Sequence, residues 1–314
     1  MTKVHTPSRE QISHARAYLV LALGVFAIGW SAIFVRWSNV PGWTSAFWRM
    51  TIAQLVFVPW ALGARARQPG AVLPVDRQAL RAAIIAGAFF AADLALFNTA
   101  VMVSSADNAT LLGTNAPIFV ALGAWLLYRE RPTRRFWTGF ALSFVGMLAI
   151  VGHDLAKHPR LGIGDACAMI GAACYAGYLL YVRQSRATMD ALTFSAISGV
   201  TAVATLLAIC LVIVAFAQGG LAVRFTPVAW GSIATMAVVS TVLAFIAFLR
   251  GLAVIGPVRT AIVSTIEPFW TALLGALVLR QALGVRTLLG GICIAAAVVL
   301  LQLGHGREAT PEPI

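Results

Sequence analysis

Ten stretches of apolar residues, each long enough to cross a bilayer as a helix, follow one another along this chain with little between them. They fall near 17–35, 45–63, 82–103, 107–127 and 134–152, then near 162–182, 191–217, 227–249, 256–279 and 286–303. A hydrocarbon core takes roughly 20 such residues per crossing, so the spans use up most of the 314 residues. Only 11% of the chain is charged and 60% is hydrophobic. A soluble domain carries about 25% charged residues, so this chain lacks the polar surface to coat a globule in water. The expected fold class is an all-α integral membrane protein with ten transmembrane helices. The longest polar connection, Ala64 to Leu80, reads as a juxtamembrane loop.

Lys and Arg number 23 against 11 Asp and Glu. On a soluble module such a surplus would suggest nucleic acid. Here the basic residues sit between apolar segments, where they set topology, so no nucleic-acid partner is expected. With the N-terminus placed inside, 16 basic residues fall on the inner side and six on the outer, with Arg49 lying within the second span. The expected location is the cytoplasmic (inner) membrane, multi-pass, with both termini cytoplasmic. Sixteen mostly polar residues precede a first apolar run long enough to span, so no cleaved signal is expected. Trp37, Trp43, Trp60, Trp137 and Trp230 fall near span ends, as an interfacial belt requires. The four cysteines lie in apolar stretches without metal-ligand spacing and read as small buried hydrophobes.

An internal repeat organises the spans. Residues 97–152 slide onto 248–303 at an offset of 151 without gaps: Phe97 meets Phe248, Thr114 meets Thr265, and Pro117 meets Pro268. Arg129, Arg135 and Gly139 meet Arg280, Arg286 and Gly290. A unit of five spans re-enters the membrane from the opposite side in its second copy, which makes two inverted five-helix repeats. The expected division is an N-terminal tail over 1–16, repeats over 17–152 and 161–303, and a C-terminal tail over 304–314. Inverted repeats are characteristic of secondary transporters that alternate access to a site near the bilayer midplane. A channel or membrane enzyme on a duplicated bundle is the competing class.

The sequence resembles the drug/metabolite transporter superfamily, and within it the EamA-type ten-helix members, over about residues 17–303. The resemblance is carried by Trp30-Ser31 with Arg36, by Ala46-Phe47-Trp48-Arg49-Met50, and by Asn115-Ala116-Pro117. Arg129-Glu130 and Trp137-Thr138-Gly139-Phe140 continue it, with Glu267-Pro268 and Gly290-Gly291 in the second copy. It implies alternating-access transport of small metabolites such as amino acids, amines or nucleobase-like compounds, most often export. One departure stands out: where the family often has an acid at the end of span nine, this chain has Gln281.

Ionisable groups at membrane depth cost about 2.5–3.5 kcal/mol on insertion scales, so they face a cavity or a partner. Asp93 in span three and Glu267 in span nine are the two candidates, for substrate binding and for proton coupling. The repeat duplicates neither, since Asp93 matches Ala244 and Glu267 matches Ala116. Glu267 has a second explanation, because Pro268 lacks an N–H and frees a carbonyl that a protonated Glu could satisfy. Thr260, Ser264, Glu267 and Thr271 share one helical face, which reads as a cavity lining or as helix packing. Asn108, Thr114 and Asn115 in span four point to the same interior. Phe90, Asp93 and Phe97 also share a face, and Trp30, Tyr175 and Tyr178 lie well inside their spans. The candidate substrate-binding set is therefore Trp30, Phe90, Asp93, Phe97, Asn115, Tyr175, Tyr178, Ser264 and Glu267. Such a mixture suits an amine or a bulky apolar metabolite, because aromatic faces attract cations; helix packing is the other reading of each ring. Arg49 would bind a substrate carboxylate or snorkel to headgroups. Gly139-xxx-Ser143 and Gly290-Gly291 allow close helix approach within the bundle or in a homodimer. With no Walker loop, HExxH or GxSxG motif, the expectation is no enzyme, no cofactor and no metal. The partners left are a small-molecule substrate and the lipid bilayer.

Overall fold

The computed structural model describes residues 9–67, 76–128, 134–157, 159–185, 188–216, 223–248, 263, 266–281 and 284–305. They are helical throughout with short connections, and among them there is no strand. The helices are α1 Arg9–Ser38, α2 Gly42–Arg67, α3 Arg77–Val103, α4 Ala106–Gly113, α5 Ala116–Tyr128 and α6 Arg134–Lys157. After them come α7 Pro159–Ser185, α8 Ala191–Phe216, α9 Pro227–Ala237, α10 Glu267–Val278 and α11 Val285–His305. Residues Val238–Leu243 continue α9 as a wider π turn. Among the described residues, six stretches are long and apolar enough to cross a membrane: Arg16–Ser38, Arg77–Val103, Asn108–Leu126, Gly162–Ser185, Ala191–Phe216 and Pro227–Phe248. Shorter apolar helical stretches cover Trp137–Gly146, Glu267–Val278 and Leu288–Ala297. The helices outrun the apolar segments, so α1 begins inside the expected N-terminal tail; the expected C-terminal tail lies largely outside the described residues.

The distribution of side-chain size is the reverse of that in a soluble protein. Ala46, Ala53, Ala83, Ala86, Ala91 and Ala100 are fully buried, whereas Leu55, Leu126, Leu277 and Phe216 stand out from the surface. Lipid is as apolar as leucine, so large residues gain little by leaving it, and small residues inside let helices come close. Gly146 of α6 shows how close: a Cβ there would sit 2.6 Å from the Gly290 carbonyl oxygen of α11. Four of the five expected interfacial tryptophans, Trp37, Trp60, Trp137 and Trp230, are exposed. Trp43 instead packs against the Ala46–Leu94–Ala202 cluster.

The repeat reappears as matched breaks in two helices. Before Pro117, the Asn115 N–H reaches the Leu112 carbonyl at 3.2 Å and the Ile118 N–H reaches that of Asn115 at 3.0 Å. Exactly the same turn, 151 residues on, precedes Pro268: Ile266 donates to Val263 at 3.2 Å and Phe269 to Ile266 at 3.1 Å. Each proline removes one helical N–H, and the chain tightens to three-residue bonds to keep its carbonyls satisfied.

The two copies are interleaved rather than side by side. α1 packs mainly on α9, its π turn and α10, all from the second copy, while α7 packs mainly on α3, α5, α6 and α4 from the first. α2 pairs with α8, and α6 with α11. α1 also ends where α7 begins. Arg36, near the end of α1, donates to the Ser104 carbonyl. The Ser104 hydroxyl in turn donates to Asp165, three residues from Gly162 in the first turns of α7. Asn108 Nδ2 reaches the other Asp165 oxygen at 3.4 Å. Asp165 is wholly buried, and this polar knot closes one end of the bundle above an apolar cluster containing Val35, Val101, Leu112 and Met236.

Helix starts are capped in ways the sequence dictates. Thr226 accepts from the Ala229 N–H at 3.1 Å ahead of Pro227, and Ser105 accepts from Asn108 at 3.2 Å. Asp190 accepts from the Leu192 and Thr193 N–H groups at 3.0 and 2.9 Å ahead of α8. Partial burial works to raise the Asp190 pKa, but the hydrogen bonds from Thr193 and Leu192 outweigh it and hold the carboxyl below its usual value. A depressed folded-state pKa means the cap contributes fully above about pH 4, the unfolded value, and fades as pH falls through the folded one. Asp190→Ala should therefore lower stability by about 0.5–2 kcal/mol at neutral pH. In detergent melting curves the difference from the parent protein should shrink on acidification below that range.

Candidate functional site

Five helices and the π turn bring a set of charged, hydroxyl and aromatic side chains together inside the bundle. Asp93 sits midway along α3 and Glu267 opens α10 at the proline break. Both are half-buried, and among the described residues neither carboxylate has a hydrogen bond or ion pair. Each lies within reach of the charge on Arg49, and Asp93 within reach of that on Glu267. Gly171 of α7 makes room for the acid, since a Cβ there would stand 3.3 Å from Asp93 Oδ1.

Arg49 of α2 is 7% exposed and cannot reach headgroups. Its Nε donates to Thr241 Oγ1 at 2.8 Å, one terminal nitrogen donates to Ser31 Oγ at 2.9 Å, and the other reaches the Ser240 carbonyl at 3.4 Å. The snorkelling alternative is thus overturned. The partners explain the π turn. Thr241 donates on to the Met236 carbonyl, five residues back, at 3.3 Å. Ser240 Oγ donates across to the Ala27 carbonyl of α1 at 2.6 Å. Widening by one residue turns both the Ser240 carbonyl and the Thr241 hydroxyl toward the guanidinium, and such turns recur at functional positions.

The aromatic candidates divide. Phe90 stacks on Tyr178 with centroids 4.8 Å apart, and Tyr178 on Tyr175 at 5.6 Å, forming a run of near-parallel rings across α3 and α7. Tyr175 lies within reach of the charges of both acids, so this run borders them. Phe97 does not join it. It packs about two turns beyond Phe90 along α3, against Gly113 and the apolar cluster at the closed end. Trp30 belongs to an aromatic run on its own helix, stacked on Phe34 at 5.6 Å and edge-on to Phe26 at 6.4 Å. Asn115 is buried and engaged, donating to the Leu112 carbonyl at 3.0 Å and accepting from Ser143, which makes it a brace for the α4–α5 break. Ser264 and Thr260 lie outside the described residues. Thr271 is buried and donates to the Gly29 carbonyl at 3.3 Å, a packing contact between α1 and α10.

The gathered set is therefore Asp93, Glu267, Tyr175, Tyr178 and Phe90, with Arg49, Ser31 and Thr241 added by the structure. Arg49 is visible in the sequence as an arginine within an apolar span; the π turn has no such signal. Asp165, an acid just inside an apolar span, carried the same kind of signal as Asp93. Gln281, which replaces the expected acid, keeps Oε1 buried 3.3 Å from a Cβ built at Gly275, with no hydrogen-bond partner among the described residues.

Thr241→Val removes the acceptor for Arg49 Nε inside the bundle and should cost about 1–3 kcal/mol. Thr235→Val, which loses only a bond to its own helix at an exposed position, should leave the melting temperature in detergent nearly unchanged.

Comparison with known proteins fits this architecture. The EamA-like transporter family matches twice, over residues 15–152 and 162–303. An uncharacterized transporter of Synechocystis sp. is 24% identical over 230 residues, covering 73% of this chain and 68% of that protein. The uncharacterized transporter YyaM of Bacillus subtilis is 24% identical over 227 residues, 68% of this chain and 72% of its own length. A solved crystal structure superposes over 94% of this chain and 99% of its own with a TM-score of 0.59 at 15% identity, a likeness of fold. With both halves of its length matched, the chain belongs to the EamA-like transporter family.

Proposed function

We propose that this membrane transporter is a secondary active exporter of small metabolites such as amino acids or amines, working by alternating access and coupled to protons through Asp93 and Glu267. In this reading ten spans form two inverted repeats over 17–152 and 161–303, in the cytoplasmic membrane with both termini cytoplasmic. The surplus of Lys and Arg on the inner side supports that orientation. The matched proline breaks support the duplication, and the opposite sense of α1 and α7 supports the inversion.

One observation carries the reading: two carboxylates at the middle of a membrane bundle have no hydrogen-bond partner among the described residues, and border a run of stacked rings. An acid that only braced the fold would be tied down, as Asp165 is. An untied acid is available to a proton or to a cationic group on a substrate. The polar knot at Arg36, Ser104 and Asp165 then acts as the closed gate of one access state, with Phe97 beneath it.

Saturable flux with counterflow of labelled substrate in proteoliposomes tests the carrier against a channel, which gives no counterflow, and against an enzyme, which changes its substrate chemically. Proton coupling makes a second demand. The Asp93→Asn, Glu267→Gln double variant should lose the pH dependence of uptake into inverted vesicles. Retained pH dependence would overturn coupling through these two residues.

A further inference from the structure

We infer that the connection between α5 and α6, with the exposed rings beside it, is a binding site for an anionic phospholipid of the inner leaflet. The inference goes beyond the transport reading and shares only its orientation, which puts this connection on the cytoplasmic side.

Residues 129–135 hold four arginines and one acid, Glu130. The other connection with four arginines spreads them over 17 residues, from Arg65 to Arg81. Orientation requires that basic residues lie on the inner side, but not that they crowd together, and like charges so close in sequence repel one another. A phosphodiester relieves that repulsion, and arginine can pair with it through two N–H groups at once. Arg134, the first residue of α6, is exposed. A ladder of rings continues from it along one side of the helix. Trp125, near the end of α5, meets Trp137 edge-on at 6.3 Å, Trp137 meets Phe140 at 6.0 Å, and Phe140 stacks on Phe144 at 6.1 Å. Trp125, Trp137 and Phe144 stand out from the bundle surface. A lipid with its phosphate at Arg134 therefore has an apolar wall for its acyl chain, with tryptophan at the headgroup level where that side chain is favoured.

The second copy is an internal comparison, because the matching connection between α10 and α11 faces the opposite leaflet. There Arg129 and Arg135 keep counterparts in Arg280 and Arg286, but Arg131 and Arg134 are replaced by Ala282 and Val285. Trp125, Trp137, Phe140 and Phe144 are replaced by Ala276, Leu288, Gly291 and Ala295. The extra charges and the rings thus occur together, and only in the copy facing the leaflet where anionic headgroups make the surface negative.

Native mass spectrometry of the detergent-purified protein reads the affinity for the first bound lipid, with phosphatidylglycerol and phosphatidylcholine of identical acyl chains as probes. The parent protein should bind phosphatidylglycerol about tenfold more tightly. Arg131→Gln with Arg134→Gln should remove that preference. Arg77→Gln with Arg81→Gln, at exposed positions of α3 on the same side of the membrane, removes as much charge and should leave it intact. A parent protein without the preference overturns the inference. So does an equal loss in both double variants, which would mean charge in general rather than a site. Inorganic phosphate in about tenfold excess should not displace the lipid; displacement would make this a plain anion site and overturn the assignment to a lipid. If the arginine variant is not monodisperse, Trp125→Ala with Trp137→Leu decides. Affinity for phosphatidylglycerol should fall about fivefold, and an unchanged affinity overturns the inference. Lipid binding in detergent needs neither flux nor a particular orientation. Absence of counterflow removes the transport reading and leaves the site standing, whereas tails found outside by protease accessibility overturn the leaflet assignment.

Discussion

A bilayer interior contains no water to complete a hydrogen bond, and nearly every feature of this bundle answers that constraint. Backbone groups freed by Pro117 and Pro268 are taken up by tighter turns rather than left open. Serine and threonine hydroxyls mostly bond to carbonyls of their own helix, as Thr51, Thr99, Thr110 and Ser198 do. Several polar side chains reach across to another helix, and these crossings tie the fold together: Asn98 to Ser45, Ser185 to Ala79, Ser240 to Ala27. Exceptions remain: the oxygens Thr44 Oγ1, Gln54 Oε1, Asn98 Oδ1 and Gln281 Oε1 are buried without a partner among the described residues, and Asp93 and Glu267 are the two acids inside the bundle without one.

Arg49 links the constraint to the site. A guanidinium inside hydrocarbon is tolerable only with several acceptors and nearby negative charge. Its acceptors come from α1 and from the π turn, its negative charges from α3 and α10. The residue therefore joins four structural elements and both copies of the repeat.

Much of the architecture was legible in the sequence because it depends on local periodicity. Apolar run lengths gave the helices, and a gapless offset with aligned prolines gave the duplicated break. Asp93, Glu267 and the Tyr175–Tyr178 pair stood out because charges and rings are rare at those depths. What escaped was relational. An offset says that two copies are alike, not that α1 packs on the partner copy's helices, since many packings obey the same symmetry. Asn115 and Phe97 looked like cavity residues because polarity and face are all a sequence shows; their engagement with Ser143 and with the closed-end cluster needed coordinates. The π turn was invisible because its cause, a hydrogen-bonding arginine, lies almost 200 residues away.

The interleaving has a consequence for how the chain is made. α1 is made well before its main neighbours, since most of its packing surface belongs to α9, the π turn and α10, about 200 residues further along the chain. Until then Trp30, Ser31 and Gly29 face lipid or provisional neighbours, and Arg49 lacks its Thr241 and Ser240 acceptors. The first copy is thus inserted before its packing is complete, and its contacts are supplied by helices of the second copy. The contacts that close this fold are therefore among the most distant in sequence, of the kind that make folding slow.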